Sequence, residues 1–247
     1  MNYEEIKTNG YLSSFVKCFW TFETSTQAVE HTILPDGYFD LLVEIKNEKV
    51  FKIKLTGIWT IPVDIKTEKY TKIFAIRFKP LATICFEFVN FKTLLNSSMV
   101  LTNNFLELDT LPLGNFASFC QQMTNNLEKK ILLTKPVCKR RILLFEQIFQ
   151  KTTYNVKELA TKSYLTSRQI NRFFNSDYGL SLKTYIDIIR CNETFKSIVK
   201  NDLNPQSEYF DQAHFIKEVK KFTGVTPKKL SQNKNDRFLQ LLTLKAI

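Results

Sequence analysis

The stretch YFDQAHFIKEVKKFTGVTPKKL, residues Tyr209–Leu230, predicts a capped amphipathic helix followed by the start of a second helix. Asp211 is a good N-cap because its carboxylate can accept hydrogen bonds from the free amides of a first turn. The apolar residues that recur at helical spacing are Phe215, Val219 and Phe222. Gly224 suits the left-handed position that closes a helix. Taken alone, the pattern also fits an ordinary surface helix with solvated lysines.

A second copy of this pattern lies 45 positions earlier, in LTSRQINRFFNSDYGLSLKTY, residues Leu165–Tyr185. In this alignment Ile170 corresponds to Phe215, and both copies carry a capping residue and a closing glycine. Two capped helices with the same residue pattern indicate an internal repeat. Residues Leu182–Lys200 between them predict one helix of about 28 Å, against about 34 Å for one turn of B-DNA. Two recognition helices on such a spacer can enter successive major grooves on one face of DNA.

Both stretches resemble the two helix-turn-helix units of the AraC/XylS family of transcription regulators. The matching motifs of the first unit are Ser167-Arg168, Arg172-Phe173-Phe174 and Gly179-Leu180-Ser181. Those of the second unit are Phe210-Asp211-Gln212-Ala213-His214-Phe215 and Lys221-Phe222-Thr223-Gly224-Val225-Thr226-Pro227. The resemblance implies a sequence-specific transcription regulator that binds double-stranded DNA and contacts RNA polymerase, and it implies no cofactor.

The resemblance also identifies the residues expected to face DNA. In the first unit they are Ser167, Arg168, Asn171 and Arg172. In the second unit they are Gln212, His214, Lys217, Lys220 and Lys221. Arginine and asparagine can form paired hydrogen bonds to guanine and adenine edges, so Arg168 and Asn171 are the predicted base readers. The three lysines suit backbone phosphates better than base edges.

One segment departs from the family pattern. Only the residues Lys200–Glu208 separate the two units' helices, whereas the family places a supporting helix there and a glycine where Glu208 stands. Pro205 disfavours a helix at this point because it lacks an amide hydrogen and restricts the residue before it. We therefore expect the second recognition helix, Asp211–Phe222, to be more mobile than the first, Ser167–Asp177, in the absence of DNA.

Charge is segregated along the chain. Residues 1–134 contain 14 Lys+Arg and 14 Asp+Glu, whereas residues 135–247 contain 21 and 10, which accounts for the whole net charge of +11. A neutral half joined to a strongly basic half indicates a sensor or scaffold fused to a polyanion binder. Five dispersed cysteines and the lack of a signal segment or a long apolar run predict a cytoplasmic protein with no membrane partner.

The sequence pattern of the N-terminal region predicts short strands. Period-two alternation marks Tyr11–Thr24, Ala28–Leu34, Tyr38–Ile45, Val50–Leu55 and Tyr70–Phe78, and Leu81–Asn90 then has a helical pattern. The predicted fold class is α+β, with an N-terminal antiparallel β-barrel or sandwich followed by an all-α C-terminal domain with two helix-turn-helix units. The N-terminal region resembles, more weakly, the cupin-like domains that precede AraC-type DNA-binding domains.

The predicted boundaries are 1–114 for a β-rich sensor-like domain, 115–137 for a linker helix and 138–247 for the DNA-binding domain. Two helical patterns, Asn115–Leu133 and Cys138–Lys151, join the halves. By analogy with the family these helices can form a homodimer surface. The alternative is that they pack on the barrel.

Enzyme chemistry finds little support in the sequence. Cupin-type metal sites need two or three converging histidines, and this chain has only His31 and His214. No catalytic residue and no metal ligand is predicted. A small-molecule effector site inside the barrel is a second hypothesis, with Trp20, Phe22, Tyr38, Trp59 and Arg77 as candidates. Two further alternatives are a protein-interaction module and a non-specific DNA-binding module, each with a degenerate second unit.

Overall fold

The N-terminal half forms two antiparallel sheets. The computed structural model describes residues 2–102, 105–110, 113–134, 136–151, 153–204, 209–232, 238 and 240–241. Its strands are β1 (Asn2–Lys7), β2 (Val16–Glu23), β3 (Val29–Ile33), β4 (Phe39–Lys46), β5 (Lys49–Thr56), β6 (Val63–Thr67), β7 (Lys72–Phe78) and β8 (Ser98–Leu101). Six of them form a sheet in the order β1-β2-β7-β4-β5-β8, and β3 pairs with β6 in a separate ribbon.

Strand β7 is buried on both faces because each face of the large sheet is covered. One face contributes Phe74 and Ile76 to the main hydrophobic core. The other face contributes Ile73 and Ala75 to a smaller cluster that also contains Trp20 and is packed by Ile33 of the β3–β6 ribbon. This double coverage explains the almost unbroken apolar character of β7, since a strand covered on both sides has no solvent face to alternate with.

The helical half follows the predicted pattern closely. Its helices are α1 (Phe91–Leu94), α2 (Phe116–Leu133), α3 (Lys139–Phe149), α4 (Val156–Lys162), α5 (Ser167–Asp177), α6 (Leu182–Val199), α7 (Gln212–Thr223) and α8 (Pro227–Ser231). Shorter 3-10 helices cover Tyr11–Ser14, Pro80–Phe86 and Phe105–Thr110. The prediction of an antiparallel β region followed by a helical region is confirmed.

Several elements differ from their predictions. Strands β1, β6 and β8 were not predicted, and Tyr11–Ser14 is a 3-10 helix rather than the beginning of a strand. The predicted helix at Leu81–Asn90 is instead a 3-10 helix that ends at Phe86. Edge strands bury only part of one face and leave a weak periodic signal, whereas Pro80–Phe86 buries most of its residues in a 3-10 helix, whose period differs from that of an α-helix.

The repeat is visible in the caps of α5 and α7. Thr166 forms a capping box with Gln169 at the start of α5, and the Asp211 side chain accepts from the His214 amide at the start of α7. Both helices are followed by a left-handed glycine, Gly179 with φ 74° and Gly224 with φ 75°. The predicted caps and closures are confirmed. Pro205 and Glu208 lie outside the described residues.

Helix α2 packs on the barrel. Its buried side chains include Phe116, Phe119, Met123, Leu127 and Ile131. The Phe119 ring lies 5.0 Å from Phe74 of the sheet and 6.4 Å from Phe19, measured between ring centroids. Packing on the barrel is therefore the observed arrangement for this face of α2, while the domain boundaries at 114 and 137 and the homodimer remain predictions.

One hydrophobic core extends from the barrel into both helix-turn-helix units. Tyr178, just after α5, donates a hydrogen bond from its phenol to the Pro80 carbonyl at 3.2 Å. Gln240 bonds to both the amide and the carbonyl of Leu34, at 2.8 and 2.7 Å. The basic helical half is thus attached to the barrel through buried polar contacts as well as apolar packing.

The two closing glycines provide a matched pair of substitutions. Gly224→Ala should lower the free energy of unfolding by about 1 kcal/mol, because alanine resists the left-handed conformation. Gly179→Ala should cost more, since a β-carbon there would lie 3.0 Å from the Lys92 carbonyl oxygen, compared with 3.9 Å from Pro62 Cγ at Gly224. Urea unfolding of both variants measures the difference, and equal losses would contradict the close approach to Lys92.

Candidate nucleic-acid interface

The exposed face of α5 carries two uncompensated arginines. Helix α5 buries Ile170, Phe173 and Phe174, which leaves Arg168 and Arg172 exposed on the opposite side. Within the described part of the chain, neither arginine has a carboxylate within ion-pair distance. Exposed guanidinium groups without internal partners are available for phosphate or guanine.

Asn171 has a structural task. Its side-chain amide nitrogen donates to the Ser167 carbonyl at 3.1 Å, and its oxygen accepts from the Leu182 amide at 3.3 Å. The second contact joins α5 to the first residue of α6. Its amide group therefore helps to position α5 against α6, and base reading by its remaining N–H and lone pair stays a prediction. Sequence spacing alone does not distinguish the two, because Leu182 is 11 residues away.

The exposed face of α7 carries three lysines, and its N-terminal end carries apolar side chains. Lys217, Lys220 and Lys221 are exposed, and Lys221 lies over the Phe222 ring at 4.6 Å. Gln212 is also exposed but donates to the Leu203 carbonyl at 3.0 Å, so it is attached to the segment before α7. The predicted surface positions of these lysines are observed, and their contact with DNA remains a prediction.

His214 belongs to an internal ionic network. Its Nε2 lies 3.3 Å from Glu218, whose carboxylate receives Arg190 Nε at 3.0 Å and Nη2 at 2.6 Å. Arg190 also donates to Asp187 at 3.0 Å and lies over the Tyr209 ring at 5.0 Å. His214 thus contacts this network while much of its side chain stays exposed, and its contact with DNA remains a prediction.

The network fixes α7 to α6. Glu218 is buried on α7 with 7% of its surface exposed, and Arg190 projects from the middle of α6. Burial by itself lowers the pKa of Arg190, but the hydrogen bonds and charge of Glu218 raise it above the ordinary value. Burial, and then Glu218, raise the pKa of Asp187. Described residues 200–204 and 209–211 form no helix, and the ionic contact adds to the burial of Phe215, Val219 and Phe222 on the apolar face of α7.

A groove of about 570 Å³ runs between the two units, along α6 and α7. Its charged lining comprises Lys183, Arg190, Lys217 and Lys221 together with Asp187 and Glu218. The two carboxylates are engaged with Arg190, so the three lysines give the groove its net positive charge. A concave cationic surface of this kind suits a run of phosphates.

The predicted effector residues are only partly brought together. Trp20, Phe22, Trp59 and Arg77 line one cavity between the large sheet and the β3–β6 ribbon, with a volume of about 50 Å³. Tyr38 does not belong to this cavity and stacks on Phe149 of α3, with ring centroids 5.7 Å apart. Including Tyr38 was therefore an error, because aromatic composition does not show to which side of a strand a ring turns.

Arg77 is not a free cation. Its Nε donates to Asp40 at 3.1 Å, and Nη1 lies 3.8 Å from Asp36. Burial opposes its charge, but the two carboxylates raise the pKa of Arg77 well above the ordinary value. Trp20 Nε1 donates to the same Asp40 oxygen at 3.0 Å. Arg77 is thus already paired with Asp36 and Asp40 in this structure, and its contact with an effector remains a prediction.

The remaining reactive groups show no catalytic arrangement in the part of the chain that is described. Burial raises the pKa of Cys18, Cys85 and Cys120 to about 12, so these thiols are poor nucleophiles. His31 is buried and packs edge-on against Phe22, with ring centroids 5.5 Å apart.

The described residues offer neither a cluster of metal ligands nor a membrane-spanning helix. They contain no group of three or more His, Cys, Asp or Glu side chains placed to hold a metal ion. None of their helices is both long enough and apolar enough to cross a bilayer.

Comparisons with known proteins give limited information. Residues 4–99 match a family model described as a domain of unknown function, DUF6597, and this match covers the barrel but not the helical half. No curated protein matches the chain.

The similar solved structures include several of ToxT from Vibrio cholerae. ToxT from strain O395 is 11% identical, with 93% of this chain and 99% of that chain covered and a TM-score of 0.45. Wild-type ToxT of strain SCE256 bound to an unsaturated fatty acid is 12% identical, with 92% of each chain covered and a TM-score of 0.38. ToxT bound to (E)-4-(8-methylnaphthalen-1-yl)but-3-enoic acid is 11% identical, with coverages of 97% and 98% and a TM-score of 0.41. Scores this low establish neither family nor function.

Removing Glu218 tests the support of α7. Glu218→Ala removes the main partner of the half-buried Arg190 and should lower the free energy of unfolding by about 2 kcal/mol, the value of hydrogen bonds to a charged group. Lys217→Ala is the matched control, because it is the neighbouring exposed residue and should change stability by less than about 0.5 kcal/mol. Urea unfolding of both variants measures the cost.

Hydrogen exchange shows which helix loses protection in Glu218→Ala. Protection in Glu218→Ala should fall in α7 and remain in α5, and the wild-type protein should already protect α7 less than α5. Equal losses in the two helices, or a cost no greater than that of Lys217→Ala, would show that the network does not hold α7.

Proposed function

We propose that the chain is a sequence-specific transcription regulator of the AraC/XylS kind that binds double-stranded DNA through α5 and α7. The observation that carries this proposal is the pair of capped helices, repeated at an interval of 45 residues and joined by the 18-residue helix α6. Helix α6 is about 27 Å long, which suits recognition helices in successive major grooves.

Charge supports the same proposal. The excess of basic residues lies in the half that contains the repeat, and the exposed cations of α5 and α7 lie opposite their buried faces. Arg168 and Arg172 supply side chains that can reach guanine edges. Lys183, Lys217 and Lys221 share the groove between the units and bind the phosphates that pass between the two major grooves.

Sensing by the barrel is supported less well. The cavity of about 50 Å³ is large enough for water but too small for an organic effector, and its arginine is already paired. An effector at this site would require the β3–β6 ribbon to move away from the large sheet. We therefore place DNA binding at the centre of the proposal and leave effector, homodimer and RNA polymerase as expectations of the family resemblance.

The experiment that tests the proposal is a salt titration of duplex binding by the full chain. Each neutralised phosphate adds about 0.9 to the slope of log K against log salt, so several units of slope are expected. Lys217→Ala should reduce the slope by about one unit. Lys49→Ala, an exposed lysine of the barrel, is the control that should leave the slope unchanged. Undetectable binding, or binding insensitive to salt, would contradict the proposed function.

A second experiment should distinguish the residues that read bases from the residues that contact phosphates. Arg168→Ala should cost about 1–3 kcal/mol of binding and relax the base preference at one position, because a guanidinium can pair with a guanine edge. Lys220→Ala should weaken all sequences about equally. Binding to a set of duplexes with single base changes measures both effects. A larger change of preference in Lys220→Ala than in Arg168→Ala would reverse the assignment.

A further inference from the structure

The N-terminal part of α7 exposes apolar side chains where α5 exposes polar ones. In the 45-residue alignment, Ala213 takes the place of Arg168, and Ile216 takes the place of Asn171. Ala213 is exposed and Ile216 is 37% exposed, although each belongs to a helix with a well-formed buried face. Phe210, just before the helix, is 93% exposed. The two units therefore present different chemistry at equivalent positions.

These side chains lie at the end of α7 that points away from the barrel. The opposite end of α7 rests near Pro62, and the equivalent end of α5 rests against Lys92, at the closing glycines of the two units. Both recognition helices thus have their C-terminal ends at the barrel. The N-terminal residues of a recognition helix are the ones that contact base edges in the major groove.

Apolar side chains cannot accept or donate hydrogen bonds at a base edge. The apolar group that the major groove offers is the C5-methyl of thymine, and alanine and phenylalanine are among the side chains that contact it. Resting on the proposed function, we propose that the second unit selects thymine by contact of Ala213 and Ile216 with its C5-methyl group. Phe210 flanks the same contact, and Ala213 and Ile216 are specificity-determining residues.

The surrounding charge favours DNA over a protein partner on this face. Lys217 and Lys220 lie next to the apolar pair on the same exposed side of α7, and Lys217 also lines the cationic groove. In DNA, the methyl edge of a thymine is bordered by the phosphates of its own strand. An apolar pair bordered by lysines therefore complements both the methyl group and the phosphates. If this face bound a protein instead of DNA, the loss of one thymine methyl would not change DNA binding. The test below therefore distinguishes a DNA contact from a protein contact.

The test begins with selection of duplexes by the full-length chain from a library with about 30 randomised base pairs, enough for successive major grooves. Each thymine of a selected duplex is then replaced singly by deoxyuridine, which removes only the methyl group. We expect a loss of affinity of about fourfold at one or two thymines, the value of one buried methyl. These thymines should lie in the half-site whose base preference is unchanged by Arg168→Ala.

Variants assign the effect to residues. Ile216→Asn, which introduces the side chain of the first unit, should remove the deoxyuridine effect nearest to it while leaving the thermal unfolding temperature close to that of the wild type. Arg168→Ala is the matched control, because it should weaken binding and leave the deoxyuridine profile unchanged. Ile216→Ala supplies a second, smaller apolar side chain and should reduce the effect.

The outcomes separate this inference from the proposed function. Failure to enrich any duplex would overturn both. Enrichment of a two-part site that is insensitive to deoxyuridine at every position would overturn methyl recognition alone. A deoxyuridine effect that persists in Ile216→Asn would place the contact elsewhere, and unchanged DNA binding by that variant at every position would overturn the assignment of this face to thymine.

Discussion

The arrangement of the whole molecule depends on how helix α6 is held, and a buried hydrogen bond from Tyr185 to the Gly37 carbonyl, 3.1 Å long, joins this helix to the barrel. Tyr185 is fully buried, and its ring packs against Phe174 of the first unit. Burial raises the pKa of Tyr185 well above the ordinary value, so the phenol keeps its proton and remains a donor. A β-carbon on Gly37 would lie 2.5 Å from Ile189 Cδ1, so a larger residue there would require the Ile189 side chain on α6 to shift. Because α6 also carries Arg190, which binds α7, one helix sets the positions of the barrel and of both units.

The sequence predicted what is encoded locally. The caps at Thr166 and Asp211 and the closing glycines appear where the pattern placed them, because capping depends on residues within one helical turn. The extent of α6 was also predicted to within one residue, since a long helix repeats its apolar spacing over several turns. The charge segregation survives folding as exposed cations on α5 and α7.

What the sequence did not predict depends on partners that are distant along the chain. From the sequence alone, Glu218 looks like a solvent-exposed charge. It is buried instead, because it pairs with Arg190, which is 28 residues earlier. Arg77 reads as an open cation for a ligand, yet Asp36 and Asp40 turn towards it once β4 pairs with β7. Asn171 reads as a base reader, and only the turn between α5 and α6 brings the Leu182 amide to its oxygen. Pairings of this kind depend on the register of strands and the crossing of helices, for which local periodicity gives no signal.

The two units differ in the way that each is supported, and that difference bears on what each can contribute. The first unit rests on an aromatic cluster in which Phe145 packs against Phe174 and Tyr185, so its orientation is fixed by a large, directionless apolar contact. The second unit buries Phe215, Val219 and Phe222 in the common core and is also bonded to α6 through Arg190 and Glu218, a contact of specific geometry that carries a desolvation cost. The polar side chains of the first unit suit hydrogen bonds, which tolerate little error in distance or angle. The apolar and cationic side chains of the second unit suit methyl and phosphate contacts, which keep most of their strength when the helix shifts slightly.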